Sequence, residues 1–391
     1  MKRPLLFALL LLQLLALMLQ RAAPTTAASD VQITFETNPP LDQVRPFGGP
    51  STEVVPVQVI LSVRDAQGAL VPNAQLDFKM IAPQPNLFIS TDVPRVEGVT
   101  LLDAHFVTAT GQQTFTYIMP IRGAYQLTIS ASPTVAGAFN PTTKTLDWTV
   151  NEKEASLLNA GVFLLALFAF GAYSGYLLTR SHLAARAAGS VNQVSGSGST
   201  LLLVVLGVII AGWIAFLVFA EVADAAATDE ALTSAQLSDT ASASSGNAKF
   251  EFTVQSPSAL TPSQPASFIG KLTDANGAPI LNAQYEMSVA IVEDGESETV
   301  FATTTDSVNG TFNWTYAFWD GIEHTVKIVA SPATGSATQF APVTFEHQVP
   351  VVALAPPMRA KVLGTLYLML VVGAGVFVGV FIARQRKYAG D

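Results

Sequence analysis

Three apolar runs constrain this chain more than anything else in it. Residues 157–178, 201–220 and 362–383 contain no charged side chain. At about 1.5 Å rise per residue each makes a helix roughly 30 Å long, the thickness of a bilayer's hydrocarbon core. Membrane-spanning helices are therefore predicted at 156–178, 201–220 and 361–383. Only 13% of the 391 residues are charged, against about 25% in an average soluble protein.

The flanking charges set a direction. Arg180 and Arg186 lie in a loop, 179–200, that carries no acid, whereas Glu221, Asp224, Asp229 and Glu230 follow the second run. Arg384, Arg386 and Lys387 follow the third, in the tail 384–391. Basic flanks stay in the cytoplasm, so the loop and tail face inward and the intervening blocks face outward. Residues 1–29 read as an export signal. Lys2 and Arg3 precede a Leu-rich stretch, and Thr26, Ala27 and Ala28 offer small residues for cleavage.

The two outer blocks, 30–152 and 248–350, read as β-structure. Val57, Val59, Leu61 and Val63 alternate with Gln58, Ile60 and Ser62, and Leu76, Phe78 and Met80 alternate with Gln75, Asp77 and Lys79. Such a period of two puts one face on a core and the other toward water. Residues 221–247, rich in Ala, Ser, Thr and Asp, are expected to be a mobile tether. The fold class expected is two β-sandwiches plus three transmembrane helices. With no cysteine in the chain, each sandwich depends on its own core and not on disulfides.

The blocks repeat one another. Asp65-Ala66-Gln67-Gly68-Ala69 with Asn73-Ala74-Gln75 recurs as Asp274-Ala275-Asn276-Gly277-Ala278 with Asn282-Ala283-Gln284. Gly111 with Phe115-Thr116-Tyr117 recurs as Gly310 with Trp314-Thr315-Tyr316, and Ser132-Pro133 as Ser331-Pro332. In each Asp-x-x-Gly element the carboxylate is expected to accept backbone N–H bonds while Gly takes positive φ. The flanking strands are expected to pair as a hairpin. One Asp per turn supplies too few oxygens for calcium.

On Asp65, Gly68, Ala74 and Leu76, and again over Asp274–Met287, the chain resembles bacterial surface proteins built from Ig-like sandwich repeats, with invasin-type, macroglobulin-like and YtkA-like domains. The resemblance implies Ig-like sandwiches in the cell envelope, and its YtkA-like members imply a metal-handling context.

Few residues point to chemistry. His105 with Met80 and Met119, and His324 with Met287, are the candidate copper ligands, since imidazole and thioether suit that metal. The repeat opposes a shared site, because Tyr125 stands where His324 falls and Val289 where Met80 falls. No phosphate loop or nucleophile elbow is present, so no enzyme and no cofactor is expected. Glu293, Asp294, Glu296 and Glu298 are read as a solvated hairpin loop. The net charge of −9 argues against nucleic acid. Gly171 with Gly175, Ala211 with Ala215 and Gly375 with Gly379 permit close helix packing. The partners expected are the lipid bilayer and a protein or cell-wall polymer; a third reading makes the chain a subunit of a larger membrane complex. A copper-handling accessory protein is the alternative.

Overall fold

The computed structural model describes residues 30–47, 55–86, 90–91, 93–187, 237–256, 259–293, 296–307 and 309–388. The expected signal segment 1–29 and the expected span 201–220 lie outside these residues. The first repeat contains β1 (Val31–Asn38), β2 (Val57–Asp65), β3 (Ala74–Ile81), β4 (Thr100–Thr108), β5 (Gln112–Tyr117), β6 (Gly123–Pro133) and β7 (Thr142–Val150), followed by α1 (Glu154–Ala187). The second contains β8 (Leu237–Ser245), β9 (Ala248–Ser256), β10 (Pro265–Asp274), β11 (Ala283–Glu293), β12 (Glu296–Ser307), β13 (Thr311–Ala317), β14 (Glu323–Pro332) and β15 (Val343–Pro350), followed by α2 (Met358–Tyr388).

Each repeat is a two-layer antiparallel sandwich. In the first, β1-β2-β5 faces β4-β3-β6-β7; in the second, β8-β9-β10-β13 faces β12-β11-β14-β15. The alternation explains which face goes in. Leu76, Phe78 and Met80 are fully buried, while Lys79 between them is exposed.

The two copies of the turn agree closely. Asp65 Oδ1 accepts the N–H groups of Gln67 and Ala69, each at 2.9 Å. Asp274 Oδ1 accepts those of Asn276 at 2.8 Å and Ala278 at 2.9 Å. Gly68 and Gly277 both sit at φ +83. The flanking strands do not pair as a hairpin, however. β2 bonds β1 and β5 while β3 bonds β4 and β6, so the turn carries the chain from one layer to the other. The bridge Arg64↔Leu70 closes it, with Asp65 N–H donating to the Ala69 carbonyl at 2.9 Å and Val71 N–H to the Val63 carbonyl at 2.8 Å.

The copies do not have separate cores. β5 pairs with β12 through Tyr117↔Phe301, Thr116↔Ala302 and Phe115↔Thr303. β13 pairs with β4 through Tyr316↔Leu102, Thr315↔Asp103 and Trp314↔Ala104. The repeated aromatic-Thr-Tyr motif is thus the docking strand of both copies, and the two seams are related by a pseudo-twofold axis. Buried residues of both copies form one continuous cluster.

Three expected boundaries move. The tether 221–247 includes β8, whose register runs from Leu237↔Ser256 to Ser245↔Ala248. Its inward positions are Ala241 and Ala243, too small to give an apolar alternation. Helix α1 continues through 179–187, into the expected loop, and α2 through 384–388, into the expected tail; polar helix formers there extend the backbone ladder beyond the apolar run. The acidic run does close a hairpin, with β11 and β12 paired as far as Glu293↔Glu296.

Gly111 and Gly310 are equivalent positions where glycine is required. Both have positive φ, and a Cβ there would overlap the carbonyl of Val71 or Ile280. Gly111→Ala or Gly310→Ala is expected to cost about 3 kcal/mol. Gly68→Ala, also at positive φ but facing open space, is expected to cost about 1 kcal/mol. Thermal unfolding of the intact chain, followed by Trp fluorescence, checks the order.

Candidate functional site

The predicted ligand residues do not come together. His105 lies on the outer face of β4, where it hydrogen-bonds Asp77 across the sheet at 2.6 Å. Met80 and Met119 are buried on the core side. The Asp77 hydrogen bond raises the His105 pKa against a smaller opposing effect of burial, and the same bond lowers that of Asp77. His324 and Met287 both face inward, but His324 is level with Ile291 on β11, four residues from Met287, or about 14 Å along a strand. Among the described residues, no group of three or more His, Asp or Glu is placed to hold a metal ion.

The two equivalent core positions use their polar atoms differently. Tyr125 Oη donates to the Ile121 carbonyl at 2.5 Å and accepts Ile121 N–H at 3.1 Å, closing a corner. At the equivalent place His324 is fully buried and its Nδ1 lies 2.9 Å from the Ile322 carbonyl. A carbonyl only accepts, so Nδ1 carries the proton. Nε2 is then a bare lone pair, buried with no hydrogen-bond partner, in a ring whose centroid lies 4.6 Å from that of Phe318. Burial of the charged form, slightly offset by the Ile322 bond, pushes this pKa down to about 4.

A concave surface feature lies at the β5–β12 seam. After three residue pairs these strands part, and Gln113 closes the gap from within. Its Nε2 donates to Thr303 Oγ1 at 2.9 Å and to the Thr304 carbonyl at 2.8 Å. Above it lies a groove of about 580 Å³, walled by Thr114 and Thr116 of β5, Glu286 and Ser288 of β11, Ala302 and Thr304 of β12, and Lys327 of β14. These groups offer hydroxyl, carboxylate and ammonium contacts to a polar ligand. Sequence reasoning missed this surface because its walls come from both repeats. The aromatic stretch near residue 314 is instead interior. Phe312, Trp314, Tyr316, Phe318 and Trp319 are all buried, and Trp319 packs on Phe47 of the first repeat at 4.9 Å between ring centroids.

The four candidate glycines of the helices meet. A Cβ on Gly171 would overlap the Val372 carbonyl, and one on Gly175 the Val376 carbonyl. On the other side, Gly375 lies on the Phe168 carbonyl and Gly379 on that of Ala172. Partners advance together along both helices, so α1 and α2 are parallel. Their small residues let the backbones touch. The helices are long and apolar enough to cross a membrane, at Ser156–Arg180 and Met358–Gln385.

No family model matches the chain, and no curated protein matches it. Among solved structures it is similar to trypsin-activated alpha-2-macroglobulin from Escherichia coli, at 12% identity and a TM-score of 0.23, covering 84% of this chain and 16% of that one. A Salmonella alpha-2-macroglobulin mutant gives 9% identity and a TM-score of 0.21, covering 83% and 15%. A DUF4785 family protein from Legionella pneumophila gives 8% and 0.21, covering 82% and 57%. The chain thus spans about a sixth of the macroglobulin chains, and its fold rests on the strand pairing described above.

The buried imidazole has a pH consequence. His324 is neutral in the fold down to about pH 4 but takes a proton near 6.5 when unfolded. The unfolded state therefore binds more protons between these values, and stability falls as pH drops through that window. By pH 4 the loss from this group approaches about 3 kcal/mol. Chemical denaturation of the parent and of His324→Phe at pH 7.5, 5.5 and 4.5 checks it. The variant is expected to lose the part of the slope below pH 6.5.

Proposed function

We propose that this chain is a non-enzymatic membrane protein that holds its double sandwich outside the bilayer and presents it to a protein or wall polymer, or to a larger membrane complex as a scaffold. The observation that carries the reading is the parallel, glycine-sealed helix pair. α1 starts four residues after β7 ends, and α2 eight residues after β15 ends. Both helices therefore leave the β body and run together. Helix α1 alone, at 34 residues, is about 50 Å long. A chain that ends α1 far from the body and begins β8 within it has to come back over that distance. Residues 201–220 are the apolar run available for the return, which gives three crossings with both sandwiches on one side.

The binding role is inferred from the surface. The groove at the β5–β12 seam presents hydrogen-bonding groups without a nucleophile and base in contact, which suits recognition of a polar partner. Copper handling has no specific observation in its favour, since His105 faces away from Met80 and Met119 and His324 lies about 14 Å along the strand from Met287.

Topology is checked with single cysteines in this cysteine-free chain. Ala136→Cys and Ala337→Cys, in exposed turns of the two repeats, are expected to react with an impermeant maleimide on intact cells. Arg384→Cys is expected to react only after permeabilisation. Labelling of Ala136→Cys and Ala337→Cys from opposite sides would refute the reading. For the binding role, crosslinking in native membranes is expected to capture one recurrent partner through Thr116 or Thr304, and to lose it in Ala302→Trp, which fills the groove. Undiminished capture by that variant would remove the groove from the account.

A further inference from the structure

The geometry points to a sugar chain, rich in hydroxyls and without net charge, as the ligand of the groove at the β5–β12 seam. The inference rests on the binding role proposed above for this groove and narrows the partner to a glycan.

The strands behind the groove carry a regular grid. Ser288 lies between Ala302 and Lys327, and Glu286 between Thr304 and Val329, in register across β12, β11 and β14. The two rows are about 7 Å apart along the strands. Thr114 and Thr116 face them from β5. Thr116 Oγ1 reaches the Ala302 carbonyl only at 3.4 Å, a weak hydrogen bond. The hydroxyls of Thr114, Ser288 and Thr304 make none among the described residues, and neither Glu286 nor Lys327 enters an ion pair there. On the same face of the other seam the polar groups bond each other, Asp77 with His105 and Lys79 with Asp103. The groove therefore gathers polar groups that are still free to meet a ligand.

Their chemistry selects among ligands. A hydroxyl both donates and accepts, and a ligand that answers a set of them must do the same. Sugar hydroxyls do so at every position, whereas a peptide backbone keeps its donors and acceptors on separate groups. Addition of a peptide strand is opposed as well. The Thr114 carbonyl already accepts Gln113 Nε2 at 3.1 Å and Thr303 Oγ1 at 3.3 Å, and the Thr304 carbonyl accepts Gln113 Nε2 at 2.8 Å. The edge where β5 and β12 part is thus closed to main-chain pairing. Nor do the walls carry the aromatic or Arg anchors on which protein interfaces depend, because Phe115, Tyr117 and Phe301 of these strands are buried in the core. One carboxylate beside one ammonium leaves the walls without net charge, so a polyanion or polycation gains no long-range attraction. Ala302, Val329 and the threonine methyls offer apolar contact to the C–H face of a sugar ring. Glu286, Thr304 and Lys327 are exposed while Thr114, Thr116 and Ser288 are half-buried, so the groove is open to a chain longer than itself. Its volume of about 580 Å³ lies within the usual range of ligand sites.

The test presents the full chain, in lipid nanodiscs, to an array of neutral, anionic and cationic oligosaccharides, and titrates the strongest binder by calorimetry. Binding is expected to be confined to neutral members. Glu286→Gln is expected to weaken it about tenfold, the loss of one charge-assisted hydrogen bond, and Ala302→Trp to abolish it. Lys79→Ser, on the opposite seam, is expected to leave it unchanged. Thr304→Val removes one hydroxyl at nearly constant volume and keeps the test open should Trp disturb the fold. Binding to charged members only, binding that neither Glu286→Gln nor Thr304→Val weakens, or no binding at all overturns the inference. In those cases crosslinking through Thr116 and Thr304 decides the reading beneath it. A polypeptide captured there, and lost in Ala302→Trp, keeps the binding role with a protein as partner; no capture removes the groove from both.

Discussion

The structure depends on how two sandwiches share strand edges. On the side where the repeats meet, the two layers of each end in β4 and β5, or in β12 and β13. Left alone, each would offer an unpaired row of N–H and C=O groups, the usual starting point for uncontrolled association. Docking the repeats about a pseudo-twofold axis covers all four edges at once. Each seam needs only three residue pairs, because most of the stabilisation is hydrophobic. Phe47 packs on Trp319 at 4.9 Å, and Phe115 on Phe301 at 6.2 Å; each such pair adds about 1 kcal/mol beyond the area it buries. A bulge marks each seam. The register slips between Met80 and Ile81 in one repeat and between Val289 and Ala290 in the other. The extra residues, Leu101 and Val300, are buried beside the first paired residue of the seam. A bulge bends its strand and increases twist, which limits how far β4 and β12 stay alongside their partners.

The same symmetry continues below the β body. Gly171 and Gly175 stand to α1 as Gly375 and Gly379 stand to α2, and each pair rests on the other helix. A repeat is therefore a sandwich with its own helix, and the molecule is an internally fused pair of such units. Fusion has a topological consequence that a dimer of separate chains escapes. Two parallel helices in one chain need a return path between them.

Much of this was readable residue by residue, and the failures have a common cause. The Asp-x-x-Gly turns, the alternation of Leu76, Phe78 and Met80, and the glycine pairs are local signals, fixed by φ, by strand period and by helical spacing. The phase of β4, with Leu102, Ala104 and Phe106 inward, already puts His105 outward and away from Met80. What local pattern does not contain is pairing between strands about 190 residues apart. The aromatic-Thr-Tyr motif was visible as a repeat, but its role as a docking edge exists only when both copies are present. β8 was missed for a different reason. Its inward side chains are alanines, so composition hid the strand, although Gly246-Asn247 between two alternating stretches is a two-residue hairpin signal, and Gly246 does take φ +58.

Departures from symmetry show where the two halves have different tasks. The repeat spacing changes between β3 and β4, where the first copy has a long connection and the second a tight hairpin. That connection reaches across the seam, and Arg95 Nε donates to the Ala355 carbonyl at 2.6 Å, just ahead of α2. The seams differ on their outer faces as well. The groove at β5–β12 is walled by Glu286, Ser288, Ala302 and Thr304, whose counterparts at β4–β13 are Asp77, Lys79, Asp103 and His105. Those four are tied to one another, Asp77 to His105 at 2.6 Å and Lys79 to Asp103 at 3.8 Å. Exposed pairs of this kind stabilise little, but they occupy the surface with long charged side chains. Ser288, Ala302 and Thr304, smaller residues at three of these positions, leave the other seam concave. One framework thus yields one ion-paired face and one hollow face, and the difference lies in three side chains rather than in the backbone.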